Sequence, residues 1–411
     1  SADAGANNCL TRESECKYDL LVLGDPAYYE RYENYQGILV KDGANLTIKS
    51  ANGYGADNYS QTRIEIDEHA SVTLTLDGAY IDTTQMRYGG SPFFISENST
   101  GNVDIILKGE NVLKASANYA AIQKNGDAEN IGTLTISGDG SLTAIGGKYG
   151  AGIGGSYCNA GSNITITGGT VVATAVTEDQ YTSAGAGIGG GYNAAGNNIT
   201  ISGGTVTATS SAVGGNGSAG AGIGGGYNAA GNNITISGGT VTAISSVEGE
   251  GGYAGAGIGG GYRAVGNNIT ISGGTVTALS ISPNSYNRGY GIGSGWGAQG
   301  SIPTVIGGNI KASSLYAVKG EDGDKSYKAY PARVDLLLLA GKNAAVGNPK
   351  LQSYNTKTGE TETISYDLSK SCTLEDGYLY LCLPADTEDT VTRLVFENTV
   401  YEATVEMLAY D

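Results

Sequence analysis

The sequence predicts an all-β chain: a right-handed parallel β-helix of about nine rungs, followed by a small C-terminal antiparallel β domain. Three observations predict it. The phrase AGAGIGGGYNAAGNNITISGGTVTA recurs almost verbatim from Ala184, Ala219 and Ala254, and a fixed period of this length marks a stacked repeat. Its isoleucine falls at Ile153, Ile188, Ile223 and Ile258, a period of 35, with Ile292 following 34 later. Within each copy, Ile-Thr-Ile and Thr-Val-Thr-Ala alternate apolar and polar residues, the period-2 signature of strands with one buried face. Between residues 150 and 312 no helical periodicity appears, and the 15% charged residues are too few for long exposed helices.

In chain order, residues 1–36 are charged, Tyr-rich and hold Cys9 and Cys16, and they are expected to cap the first rung. The solenoid is expected over 37–315. Its early copies read Leu46-Thr-Ile48, Leu74-Thr-Leu76, Ile105-Ile-Leu107 and Leu134-Thr-Ile136. The NITI copies follow at Ile164, Ile199, Ile234 and Ile269, and a degraded copy ends at Val305. Gly-Gly separates the two strands of a copy, and Gly, Asn and Ala fill the corners, where positive φ is tolerated. Equivalent Ile residues are expected to stack as a core at ~4.8 Å per rung, and Asn198, Asn233 and Asn268 to bond rung to rung at one corner. Residues 316–330 read as a linker. Beyond it, VDLLLLAG, GYLYLCLPA, TRLVFEN and YEATVEML read as strands of a sandwich-like domain over 331–411.

Composition removes several function classes. The chain has 68 glycines in 411 residues and only 7 prolines, which is Gly-rich without being a disordered low-complexity composition. Its net charge of −17 repels polyanions, so nucleic acid and anionic membrane surfaces are unsuited as partners. The single histidine, His69, excludes multi-His metal sites, and no cofactor or catalytic residue is assigned. No apolar run is long enough to span a membrane, and the start SADAGANN does not read as a signal peptide. Cys9 with Cys16, and Cys372 with Cys382, read as two local disulfide staples, leaving Cys158 over. In GEDGDKS the acids Glu321, Asp322 and Asp324 lack full calcium-loop spacing and read as a solvated linker.

The most specific chemical feature is aromatic. Four residues after each repeat isoleucine stand Tyr157, Tyr192, Tyr227 and Tyr262, and the same offset from Ile292 gives Trp296. Five successive rungs then present a stripe ~19 Å long. Aromatic faces take the apolar faces of sugar rings, whereas a closed ladder would only seal the corner, and exposure decides between the two. The excess of 28 Tyr over 3 Phe fits surfaces that stay wet. Loops after Thr-Val-Thr-Ala add Tyr181, Tyr253 and Tyr290 to the candidate carbohydrate-binding set, with Tyr286 and Arg288 beside them. They also place Glu178 and Glu248 at equivalent positions two rungs apart, ~9.6 Å, close to the carboxylate separation of inverting glycosidases.

The run TGNVDIILKGENVLKA, then GTLTISGDGSLTA, then iterated AGIGGGYNAAGNNITISGGTVTA resembles β-helical repeat surface proteins of gut Firmicutes, of the carbohydrate-binding domain-containing or putative adhesin type. The resemblance covers roughly residues 36–400. It implies an extracellular, cell-surface or secreted protein; without the anchor sequence that often ends such proteins, the chain reads as a fragment. It is expected to be a monomer whose partner is a polysaccharide or host glycan. The expected function is an extracellular glycan-binding or adhesin module that holds a neutral or weakly cationic chain along a solenoid face. A glycoside hydrolase or polysaccharide lyase on the same scaffold, and a structural stalk, are the alternatives.

Overall fold

The fold is seen in a computed structural model. It describes residues 18–314 apart from 33–35, 87–88, 98 and 127–130, and then 318–319, 326–327, 329–335, 350–364, 378–384, 388–396, 399–402 and 405–407. The cysteine pair Cys9–Cys16, the acids Glu321, Asp322 and Asp324, and Cys372 lie outside the described residues, so the expected staples and the loose calcium loop do too.

The chain winds as a right-handed parallel β-solenoid with three ladders. The first is built from the Ile-Thr-Ile strands. Nine of them lie side by side, from Asn45–Ser50 through Leu134–Gly138 and Gly196–Ile201 to Thr304–Ala312. The second holds the Thr-Val-Thr-Ala strands, such as Thr170–Thr177, Thr205–Ala212 and Thr240–Val247. The third holds the short Ile-Gly strands Ile153–Gly154, Ile188–Gly189, Ile223–Gly224, Ile258–Gly259 and Ile292–Gly293, with four longer strands before them. About seven turns carry all three strands, and the first and last strands of the first ladder belong to incomplete turns.

Register follows the sequence repeat residue for residue. Ile164, Ile199, Ile234 and Ile269 pair in succession, as do Ala173, Ala208, Ala243 and Ala278. All of them point inward and are buried in one core cluster. The period-2 pattern leaves their polar neighbours on the outer faces, where a one-residue slip would invert every side chain.

Glycine content has a steric cause at the third ladder. Gly154, Gly189, Gly224 and Gly259 have φ between 131° and 133°. A Cβ on Gly224 would lie 2.0 Å from the carbonyl oxygen of Gly259 in the next rung. Only a residue without a side chain lets the rungs close at that point. At the corner before the Ile-Thr-Ile strands, Asn163, Asn198, Asn233 and Asn268 sit at φ of 52–56°. Their amides bond in a chain: Asn198 Nδ2 donates to Asn163 Oδ1 (2.9 Å), Asn233 to Asn198 (2.9 Å) and Asn268 to Asn233 (3.0 Å). A second, parallel row runs through Asn197, Asn232 and Asn267.

Both ends change to antiparallel pairing. Leu20–Leu23 pairs antiparallel with Asn45–Ser50, and Tyr29–Tyr32 with Gly37–Val40. Beyond the solenoid, Ala329–Asp335, Tyr378–Pro384 and Val405–Met407 form one small antiparallel sheet. Lys350–Asn355, Thr361–Ile364, Thr390–Phe396 and Thr399–Glu402 form another. The backbone N–H of Tyr380 donates to Asn309 Oδ1 (3.1 Å), joining the first of these sheets to the last solenoid strand.

One core position breaks the pattern. Lys124, on the third-ladder strand Ile122–Lys124 opposite Ile95, is fully buried, and among the described residues its Nζ has no hydrogen-bond partner. Burial lowers its pKa from 10.5 to about 8. Its neighbour Gln123 is satisfied, since Oε1 accepts from Ser91 Oγ (2.9 Å) and Ser156 Oγ (2.7 Å).

Candidate functional site: an aromatic ladder ending in a cavity

The stripe is built by a tight turn after each Ile-Gly strand. The residue following each stripe aromatic is left-handed: Cys158, Asn193, Asn228 and Arg263 have φ of 52–58°, and Gly297 has 75°. Backbone bonds fix the spacing, with Cys158 N donating to Tyr192 O, Asn193 N to Tyr227 O and Arg263 N to Trp296 O, each at 3.0 Å. The side chains therefore arrive one rung apart.

The five rings stack. Centroid separations are 5.6 Å for Tyr157–Tyr192, 5.1 Å for Tyr192–Tyr227, 5.3 Å for Tyr227–Tyr262 and 5.7 Å for Tyr262–Trp296, with planes inclined by only 12–15°. These are offset-stacked pairs within the preferred range. The ring faces are thus taken by neighbouring rings, and a gap of this size holds no sugar ring. The interior members are half-buried and present ring edges and hydroxyls, while Tyr157 at the open end is 45% exposed.

The remaining candidates divide. Tyr253 packs on Tyr262 at 5.0 Å and on Trp296 at 4.4 Å, so it flanks the ladder's C-terminal end. Tyr290 and Trp296 line one cavity of about 460 Å³, together with Ser280, Ser285 and Arg288. Tyr181 stands apart, 75% exposed on its loop. Sequence reasoning missed Tyr149, which meets Tyr157 and Tyr192 edge-on at 5.3 Å each. The signal was present: Tyr149 stands where the repeats carry Ala184, Ala219 and Ala254.

Charge gathers at the same end. Arg263 and Arg288 are the only basic residues between 151 and 300. The Arg263 guanidinium lies 5.2 Å from the Tyr262 centroid and 5.5 Å from that of Trp296, cation–π geometry across two rungs. Arg288 donates from Nε (3.0 Å) and Nη2 (2.8 Å) to Ser282 O, and the Trp296 indole N–H donates to Tyr286 O. Burial pushes the Tyr227 phenol above its ordinary pKa, Tyr192 and Tyr262 add to the rise, and Arg263 opposes it. At the other end the Tyr157 phenol is raised first by its hydrogen bond with the Cys158 thiol.

The acids named from sequence lie elsewhere. Thr177, Ala212 and Val247 pair in succession, so Glu178, Val213 and Glu248 follow at equivalent positions and the two carboxylates are two rungs apart. Neither lines the cavity beside Trp296.

Fold and ladder together define a β-solenoid repeat protein with a stacked aromatic corner. Residues 134–157, 164–192, 199–227, 234–262 and 269–296 each match a family model described as Beta helix repeat. Each match ends on a member of the stripe, Tyr157, Tyr192, Tyr227, Tyr262 or Trp296. No curated protein and no solved structure matches the chain.

Proposed function

We propose that this chain is an extracellular glycan-binding or adhesin module, monomeric, that takes a polysaccharide or host glycan at the C-terminal end of its aromatic ladder. The observation that carries the reading is the cavity beside Trp296 and Tyr290, where the row of stacked rings stops. Small-molecule sites are concave and mix apolar walls with a few convergent polar groups, as Trp296 and Tyr290 do here with Ser280, Ser285 and Arg288. A sugar ring placed there stacks on an aromatic side chain, which loses little freedom on binding. The chain then runs along the ladder's edge, where phenol hydroxyls and the exposed amides of Asn193 and Asn228 supply hydrogen bonds. Only six charged residues lie between 151 and 300, which suits an uncharged polymer.

The ring-on-ring stacking favours a second reading, in which the ladder seals the corner and the chain is a structural stalk. A broad glycan array, with product analysis after long incubation, separates these readings from each other and from a hydrolase or lyase. Binding without cleavage is expected. Trp296→Ala is expected to abolish it with the solenoid intact, and the triple change Tyr192→Ala, Tyr227→Ala, Tyr262→Ala to weaken it. Binding that survives both changes removes this site. A silent array, with unfolding of the triple variant, supports the stalk. Released product directs attention to Glu178 and Glu248.

A further inference from the structure

A second cavity, of about 660 Å³, lies at the opposite end of the solenoid. Tyr18, Asp19, Arg31, Tyr32 and Tyr54 line it, drawn from separate stretches of the chain. Its volume is that of a small-ligand site. Nothing in the repeat requires these residues, because they precede the regular copies or interrupt them.

Arg31 is the feature that needs an explanation. Its guanidinium stacks 4.0 Å from the Tyr18 centroid, and Nη2 donates to Leu20 O (3.0 Å). Those contacts fix its plane without neutralising it. The chain carries 40 acids and 23 bases, yet among the described residues Arg31 makes no ion pair and its buried Nε has no hydrogen-bond partner. A buried donor left unmet is destabilising until something accepts from it. Asp19 is held differently. Oδ1 accepts from Thr62 Oγ1 (2.5 Å) and Oδ2 from the N–H of Gln61 (3.0 Å), which leaves part of the carboxylate's accepting capacity open.

We infer that this cavity binds an acidic sugar residue, a pyranose bearing one carboxylate, at a site separate from the ladder. The carboxylate takes the charge-assisted hydrogen bonds of Arg31. The ring lies against tyrosine, with Tyr54 the most accessible face at 36% exposure. Sugar hydroxyls donate to Asp19. Asp19 also sets the charge limit, since a second anionic group on the ligand would meet it as a like charge.

The test is calorimetric titration of the whole chain with D-glucuronate, with D-glucose and acetate as controls. Glucuronate is expected to bind in the millimolar range or tighter, and glucose and acetate at least about tenfold more weakly, since either lacks one half of the contacts. Arg31→Gln is expected to weaken glucuronate about tenfold or more, Arg31→Lys less, and Trp296→Ala not at all, which separates this site from the ladder. If Arg31→Gln does not fold by circular dichroism, Tyr54→Ala, which removes a partly exposed ring, carries the test with an expected loss of several-fold. Equal affinity for glucuronate and acetate assigns a bare anion site and overturns the sugar. Absent binding, or binding indifferent to both Arg31→Gln and Tyr54→Ala, overturns the proposal.

Discussion

Replacing Lys124 by methionine should make this protein more stable at neutral pH. The side chains have similar length, and methionine fills irregular apolar space without a charge. Lys124 is fully buried with no partner for Nζ among the described residues, and its pKa falls from 10.5 to about 8. That difference corresponds to about 3 kcal/mol of penalty on the charged form below pH 8, at 1.36 kcal/mol per unit. Its sign against pH follows from proton counts. Between pH 8 and 10.5 the unfolded chain holds the lysine proton and the folded chain does not, so stability rises with pH across that window. Tyr32, Tyr80, Tyr157 and Tyr227 act oppositely above pH 10, where their raised folded pKa values keep protons that the unfolded chain has released. Urea unfolding of wild type and Lys124→Met at pH 7, 8, 9 and 10 isolates the amine. The variant should lead by up to about 3 kcal/mol at pH 7, and the gap should narrow steadily from pH 8 to 10. A variant less stable than wild type at pH 7, or a gap independent of pH, refutes the reasoning.

Two further outcomes test the ladder and the rung contact. Tyr227→Ala removes stacking partners on both sides, at 5.1 and 5.3 Å, and should cost about 1–3 kcal/mol in thermal unfolding beyond Tyr227→Phe, which keeps the stack; equal melting of the two variants counts against a stabilising ladder. Gly224→Ala puts a Cβ 2.0 Å from Gly259 O and should lower stability by more than about 4 kcal/mol, seen as loss of soluble folded chain, whereas loop Gly215→Ala, with 3.5 Å to the Gln180 side chain, should fold normally.

The solenoid was legible because its interior repeats. Ile-Thr-Ile and Thr-Val-Thr-Ala state the period-2 pattern and the rung period together, and the paired isoleucines fall where the phrase places them. The amide ladder through Asn198, Asn233 and Asn268 was legible for the same reason, while the parallel row at Asn197 was overlooked beside it. The aromatic offset gave the stripe's positions but not its geometry. Stacking depends on side-chain rotamers, and an i+4 spacing from isoleucine is compatible with rings that face solvent or one another. Tyr149 escaped because it is a departure from the repeat, standing where later copies carry Ala184, Ala219 and Ala254, and a search for period rewards sameness. Lys124 and the Arg31 cavity lie where the copies are degenerate, so nothing in the periodicity marks them. Both depend on how the early, irregular turns close in space.

In the central copies each residue's neighbours above and below are its own counterparts, Gly189 under Gly224 under Gly259. Within its paired strands the scaffold is therefore tolerant of change in length only in whole units. Removing 35 consecutive residues brings Ile188 beside Ile258 and restores every pairing, whereas removing a few puts apolar side chains on the outer face and glycines where bulk is needed. Such a chain has a natural quantum of reach: one cassette gained or lost moves its two dissimilar ends together or apart by ~4.8 Å while leaving the chemistry of each end as it was.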